Sequence, residues 1–159
     1  MFRMCEQVAA GSDDPHRKVG CVIVNSDGNV VASGTNKVPD GITPRENRIT
    51  KPYKYIWIEH AERNAIYSAA KQNIPIAGMT IFINFWPCVD CTRAIIQSGI
   101  KKIVVPSRPD FDHPTRGPHF KASFEMLEEN GTIAGPFTHL TAPSILLVIV
   151  LSLCLARHT

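Results

Sequence analysis

The sequence has little that marks a secreted, membrane-spanning or nucleic-acid-binding protein. Its five cysteines are an odd number, and Cys5, Cys21 and Cys154 each stand alone among apolar neighbours. That pattern indicates reduced thiols in a core rather than a disulfide framework. The first ten residues lack the basic segment and the cleavage site of a secretory signal peptide. We therefore expect a cytoplasmic location.

The net charge of the chain is small. A value of +3 is compatible with an anionic small-molecule ligand but too weak to indicate nucleic-acid binding. The sequence also has no stripe of aromatic and basic residues of the kind that binds single-stranded nucleic acid. We expect a small-molecule substrate and no clear nucleic-acid or membrane partner.

A single strongly apolar run lies near the C-terminus, at residues 145–155 (ILLVIVLSLCL). A helix that crosses a bilayer needs about 20 apolar residues, so this run is short for a membrane span. We interpret it as a buried strand or helix, or as a surface that docks on a partner, with a membrane anchor as the weaker alternative. The expected organisation is one domain at residues 1–139 and an apolar tail at residues 140–159.

The pattern of apolar residues predicts an α/β fold. With 159 residues, 44% of them hydrophobic and 19% charged, the chain suits one globular domain. A helix opens the chain and ends at Gly11, and turn residues at 26–29 separate two short apolar runs that predict a β-hairpin. Further helices are predicted at about 59–73, 87–98 and 118–130, and further strands at about 80–84, 100–105 and near 132. This alternation predicts a three-layer α/β/α domain with a mixed, roughly five-stranded sheet.

Residues 36–58 are predicted to form a long loop, which prolines interrupt. Loops of this length inside compact domains are usually functional or disordered. The segment is basic, and two interpretations stay open. One is a solvated surface, and the other is a phosphate site that uses one or two of four residues, Arg45, Arg48, Lys51 and Lys54.

Two short motifs, His60-Ala61-Glu62 and Pro87-Cys88-Val89-Asp90-Cys91, predict a metal centre. One imidazole and two thiolates suit Zn²⁺, and three protein ligands leave a tetrahedral position open for water. Cys88 and Cys91 lie three residues apart at the start of a helix, so that their sulfur atoms project to one side. Zinc lowers the pKa of a bound water toward neutrality, and Glu62 is placed to accept and return the proton.

Other functions of these residues remain as alternatives. A Cys-x-x-Cys sequence alone is also typical of redox proteins, but that interpretation leaves His60 and Glu62 unexplained. A structural zinc site needs a fourth protein ligand, for which His113 and His119 are weak candidates. The combination of both motifs therefore favours a catalytic centre.

His-x-Glu followed by Pro-Cys-x-x-Cys is the signature of zinc-dependent nucleobase deaminases. The stretches DPHRKVG at 14–20, HAERNAI at 60–66 and PCVDCTRAIIQSGIKKIVV at 87–105 resemble the cytidine and deoxycytidylate deaminase family, most closely its deoxycytidylate branch. The resemblance covers about residues 12–105 and is weaker to about residue 135. It implies a cytidine-deaminase-like fold and one catalytic Zn²⁺ per chain. The implied zinc ligands are His60, Cys88 and Cys91, and the implied proton shuttle is Glu62.

The resemblance also implies substrate contacts. Asn36 corresponds to an asparagine that contacts the nucleoside, and the backbone N–H of Ala61 is expected to orient the pyrimidine carbonyl. Phe85 and Trp86 are expected beside the base, although core packing is nearly as good an interpretation of both aromatic residues.

The implied reaction is the hydrolysis of dCMP to dUMP with release of ammonia, in a protein that forms a homo-oligomer. The alternatives are deamination of another nucleobase or nucleoside, deamination of adenosine in tRNA, and a protein of the same fold that binds zinc or nucleotide without turnover. A histidine as the first ligand argues against the free-nucleoside cytidine enzymes. Gly34-Thr35-Asn36-Lys37 departs from the family's Gly-Tyr-Asn-Gly, which leaves nucleotide regulation open.

Overall fold

The structure, a computed structural model, describes residues 1–136. The expected apolar tail at 140–159 and the expected domain end at residue 139 lie outside the described residues. Within them the chain forms five strands and six helices. In order, they are α1 (Phe2–Ala9), β1 (Gly20–Val24), β2 (Val30–Thr35), α2 (Glu46–Ile49), α3 (Lys54–Trp57), α4 (Ala61–Lys71), β3 (Thr80–Ile83), α5 (Val89–Gln97), β4 (Lys102–Val105), α6 (Gly117–Glu129) and β5 (Ile133–Pro136).

The five strands form one mixed sheet in the order β2-β1-β3-β4-β5. Strand β1 is antiparallel to both β2 and β3, whereas β3, β4 and β5 are parallel to one another. Because β1 alone runs in the opposite direction, the carboxyl ends of the other four strands lie at the same edge of the sheet. The predicted mixed five-stranded sheet is confirmed.

The helices cover the sheet in two layers, as the predicted three-layer architecture requires. Strand β1 shows the alternation that separates them. Cys21 and Ile23 join the main core with α4, α5 and α6, whereas Val22 and Val24 join a smaller cluster with Cys5 of α1. Complete burial of an isoleucine such as Ile23 contributes about 1.5–3 kcal/mol, so this alternation fixes which face of β1 each layer covers.

The predicted loop at 36–58 contains two one-turn helices, α2 and α3. Both are too short for helical periodicity to be read from the sequence, and the prediction of a continuous loop is wrong there. The two ends of the segment are joined, because the backbones of Lys37 and Glu59 exchange hydrogen bonds of 3.1 and 2.9 Å. The chain therefore returns to the end of β2 before α4 begins.

Helix α4 lies unusually close to β2. A side chain at Gly34 would overlap the carbonyl oxygen of Ala61 and the backbone nitrogen of Ala65. The small residues Ala61 and Ala65 are fully buried on the facing side of the helix. This close approach places the start of α4 against the carboxyl end of β2.

Among residues 1–136, no helix is both long and apolar enough to cross a membrane.

Replacement of Gly34 by alanine is expected to push α4 away from the sheet. Forcing an extra carbon into backbone atoms should lower the free energy of unfolding by about 1–3 kcal/mol, as measured by chemical denaturation. Gly135→Ala is the matched control, because a Cβ there meets no atom within 4 Å. Equal stability of the two variants would contradict the close approach of α4.

Candidate active site

Three helices begin at the carboxyl edge of the sheet, and their N-cap residues are His60 for α4, Cys88 for α5 and Arg116 for α6. Crevices at this edge of an α/β sheet are the usual place for ligands. The start of α4 is fixed by Glu59, whose carboxylate accepts hydrogen bonds of 2.7 Å from the backbone N–H of His60 and from Arg63 Nε. The three N-terminal ends therefore bring chemically active side chains to one place.

His60, Cys88 and Cys91 form a group with the geometry of a metal site. The Nδ1 atom of His60 lies 3.5 Å from the sulfur atom of each cysteine, and the three candidate ligand atoms lie within 4.8 Å of one another. Tetrahedral zinc with ordinary Zn–N and Zn–S bonds needs an N···S separation of about 3.6 Å. The donor set and its spacing therefore fit zinc, and the group has three members within the described part of the chain.

The protons in this group are unevenly shared. A hydrogen bond from Cys91 lowers the pKa of Cys88 to about 3, and a further hydrogen bond from His60 acts in the same direction, against the effect of burial. The pKa of Cys91 is raised by that same hydrogen bond and by burial. The pKa of His60 is raised by its hydrogen bond to Cys88. Cys88 is thus a ready thiolate, and binding of a metal has to displace the proton of Cys91.

Glu62 lies in the first turn of α4 and is almost completely buried, with 4% of its surface exposed. Burial raises the pKa of its carboxyl group, which keeps a proton at higher pH than a solvated glutamate does. The residue lines the same cavity as His60 and Cys88. A carboxyl group in this position can accept and donate protons, and its role as the shuttle stays a prediction.

A cavity of about 660 Å³ lies over this group. All four predicted substrate contacts are on its wall, namely Asn36, Ala61, Phe85 and Trp86. The 36–58 segment contributes Lys51, Lys54, Tyr55 and Ile58. The cavity thus combines two of the metal-ligand residues, His60 and Cys88, with the positions at which a nucleoside is expected to bind.

The side chain of Asn36 is held by the loop that precedes β1. Its Oδ1 atom accepts hydrogen bonds from Ser12 Oγ and from the backbone N–H of Val19, at 2.7 and 2.8 Å. Its Nδ2 atom donates to the carbonyl oxygen of Arg17 at 2.8 Å. An amide side chain has two acceptor sites and two donors, so Asn36 retains one N–H and can contact a ligand as a donor.

The two aromatic residues have different surroundings. Trp86 is buried, and its indole N–H donates to Ser123 Oγ at 3.2 Å, so it belongs to both the core and the cavity wall. Phe85 is more exposed, and the guanidinium carbon of Arg17 lies 4.7 Å from its ring centroid. That contact occupies part of Phe85 with a cation, which leaves less of the ring for stacking on a base.

Arg17 and Arg116 also line the cavity. Neither arginine is singled out as a site residue by the sequence. Burial and the positive charge of Arg116 both lower the pKa of Arg17. Arg116 donates a hydrogen bond of 2.9 Å to His113 Nε2. Both guanidinium-bearing residues thus lie on one cavity wall, and an anion bound between them would reduce the repulsion between their charges. Arg17 lies within a quoted motif, but the distance of 99 positions along the chain hid its relation to Arg116.

Three further histidines, His16, His113 and His119, line the cavity. His113 and His119, the weak candidates for a fourth zinc ligand, are not part of the group formed by His60, Cys88 and Cys91 among the described residues. Of the four basic residues considered for a phosphate site, Lys51 and Lys54 line it. Lys54 is already paired with Asp14.

Known proteins resemble this chain over most of its length. The model of a family described as "cytidine and deoxycytidylate deaminase zinc-binding region" matches residues 1–107. An uncharacterised deaminase from Aliivibrio fischeri is 32% identical over 130 residues, which cover 82% of this chain and 86% of that protein. Human deoxycytidylate deaminase is 35% identical over 104 residues, and the matched region is 60% of this chain and 56% of that enzyme. The chain thus spans little more than half the length of the human protein.

Among solved structures, dCMP deaminase of the cyanophage S-TIM5, in complex with dCMP and dUMP, superposes with a TM-score of 0.66. It is 28% identical in sequence, and the alignment covers 86% of this chain and 93% of that chain. The similarity extends over most of both chains, so the predicted cytidine-deaminase-like fold is confirmed.

Removal of a cysteine ligand is expected to abolish zinc retention. Purified protein should carry about one zinc per chain, and Cys88→Ala or Cys91→Ala should carry much less, because two remaining ligands make a poor site. Metal content is measured by elemental mass spectrometry. Cys5→Ala is the control, since Cys5 is a buried thiol in the separate α1 cluster. Full zinc content in Cys88→Ala would show that the metal site has been placed wrongly.

Proposed function

We propose that this chain, which belongs to the cytidine and deoxycytidylate deaminase zinc-binding family, hydrolyses dCMP to dUMP with release of ammonia. The observation that carries the proposal is the content of one cavity. The same wall holds His60 and Cys88 of the metal-ligand group, the buried Glu62, and the arginines Arg17 and Arg116. The first two suit deamination, and the arginines suit a substrate that carries a phosphate.

Most steps of the proposed reaction can be assigned to residues of this chain. Zinc, held by His60, Cys88 and Cys91, would act as a Lewis acid that makes water nucleophilic near neutral pH. The Glu62 carboxylate would accept a proton from the attacking water and deliver it to the pyrimidine ring. Transfer of the remaining proton of that water to the amino group would then let this group leave as ammonia, while the oxygen stays on the ring as a carbonyl. Burial favours the first transfer, because a carboxylate with a raised pKa is a stronger base.

The base and the sugar would be oriented by backbone and amide donors. Ala61 is the first residue of α4, and the first N–H groups of a helix have no partner within it. The Ala61 N–H can therefore donate to the pyrimidine carbonyl. Asn36 has one N–H left for a ligand, which suits a hydroxyl group of the deoxyribose. Trp86 and Phe85 would then lie beside the base and limit its position, without stacking on both of its faces.

The phosphate would lie between Arg17 and Arg116. Guanidinium groups form paired, charge-assisted hydrogen bonds with phosphate oxygens, and the repulsion between two nearby cations falls when an anion separates them. The stacking of Arg17 on Phe85 fixes one of these groups before substrate binds. Four residues of the 36–58 segment were candidates for a phosphate site. Arg45 and Arg48 are not on the cavity wall, and Lys54 is paired with Asp14, so Lys51 is the candidate that remains.

Binding without turnover explains the site less well. A binding protein has no need for a buried carboxyl group beside the metal ligands, because burial of Glu62 carries a desolvation cost.

Assembly as a homo-oligomer and a cytoplasmic location stay predictions. Buried free thiols at Cys5 and Cys21 suit a reducing compartment.

The role of the arginines can be tested with paired substrates. Arg17→Gln and Arg116→Gln should each raise the KM for dCMP by roughly 10- to 100-fold, the loss expected for a charged hydrogen bond. The KM for deoxycytidine, which lacks the phosphate, should change little. Ammonia release measures both, and Arg45→Gln is the matched control on the exposed part of the 36–58 segment. Equal losses on the two substrates would argue against phosphate recognition, and a wild-type enzyme that prefers deoxycytidine would refute the proposed substrate.

A further inference from the structure

The cavity wall contains one ion pair that the chemistry above does not use. Lys54 Nζ lies 2.5 Å from Asp14 Oδ2, and the two side chains are only 9% and 7% exposed. Both residues line the cavity. Taking two charges out of water costs several kcal/mol per ion before their attraction is counted. The structural role of this pair follows from the parts of the chain that it holds together.

Asp14 holds the backbone turn that carries Arg17. Its Oδ1 atom accepts hydrogen bonds from the backbone N–H groups of His16 and Arg17, at 2.9 and 3.2 Å. Burial tends to raise the pKa of Asp14, but the hydrogen bonds from Lys54 and from these two N–H groups outweigh it and lower the pKa. The carboxylate is therefore ionised at neutral pH and fixes residues 14–17.

The other side of Arg17 is fixed as well. Its carbonyl oxygen accepts the hydrogen bond from Asn36, and its guanidinium group lies over Phe85. The direction of the guanidinium group thus depends on a backbone that Asp14 and Asn36 hold from two sides. Asn36 connects the turn to the start of the 36–58 segment, and Asp14 connects it to α3 within that segment.

Lys54 provides that connection. It belongs to α3, within the 36–58 segment, whose two ends meet at the bridge between Lys37 and Glu59. Among the described residues, the other ion pairs of this segment join Asp40 to Lys37 and to Lys71, and all three side chains are at least 40% exposed. Exposed pairs contribute little, so the buried contact of Lys54 is the stronger polar attachment of α3 to the rest of the cavity wall.

We infer that Asp14 and Lys54 act together as a positioning pair, which fastens the 36–58 segment to the 14–17 turn and thereby orients Arg17 toward the phosphate of a nucleotide. The inference rests on the proposed function, in which Arg17 contacts phosphate. It also assigns Lys54 a role other than that of a direct phosphate ligand, because its ammonium group is already paired with Asp14.

The test compares Lys54→Met, Asp14→Asn and the double variant in the zinc-loaded protein. Lys54→Met should raise the KM for dCMP at least tenfold, with kcat changed by less than threefold and the KM for deoxycytidine unchanged. The double variant should be no worse than the worse single variant, because residues that act as a unit are not additive. Lys71→Met is the matched control, since it removes an exposed partner of Asp40.

A second measurement does not depend on activity. Amide hydrogen exchange at His16 and Arg17, without substrate, should become at least tenfold faster in Lys54→Met and stay unchanged in Lys71→Met. Unaltered exchange at both amides, or equal increases in KM for dCMP and deoxycytidine, would overturn the positioning role. A wild-type enzyme without preference for dCMP would refute the proposed substrate, while the exchange result would still decide whether the pair holds the turn.

Discussion

The site depends on the convergence of three helix N-termini at one edge of the sheet. Strands β2, β3 and β4 all end at this edge because β1 alone is reversed. A short connection from β3 to α5 brings Cys88 there directly. The connection from β2 to α4 is long, and the bridge between Lys37 and Glu59 returns the chain to the place where β2 ended. Without this return, His60 would not meet the two cysteines.

The same constraint explains the electrostatics of the cavity. Helix N-termini carry partial positive charge and unpaired N–H groups, which favour the Cys88 thiolate and provide the Ala61 donor. Arg116, at the start of α6, adds a full positive charge at the same edge. Thiolates and a phosphate are stabilised by such surroundings, and the thiolates in turn can hold a metal ion. The buried Glu62 is then the group that exchanges protons. Acid–base chemistry and anion recognition thus share one structural cause.

The sequence predicted what local patterns and motifs encode. Two short apolar runs separated by turn residues at 26–29 indicated β1 and β2, and the spacing of Cys88 and Cys91 indicated ligands at a helix start. The one-turn helices α2 and α3 were missed because periodicity needs a longer window. Arg116 was missed because nothing local connects it to Arg17. The ion pair of Lys54 with Asp14 was also hidden, since a buried lysine in a basic segment has the same sequence signal as a solvated one.

The central claim is that Glu62 makes this metal site catalytic, and the most direct test is Glu62→Gln. The substitution keeps the size of the side chain and removes its ability to carry the proton. We predict full zinc content and unchanged dCMP binding, with a loss of ammonia release of about 10²- to 10⁴-fold. Glu125→Gln, on the exposed face of α6, is the control. Undiminished ammonia release from Glu62→Gln with zinc in place would contradict the account.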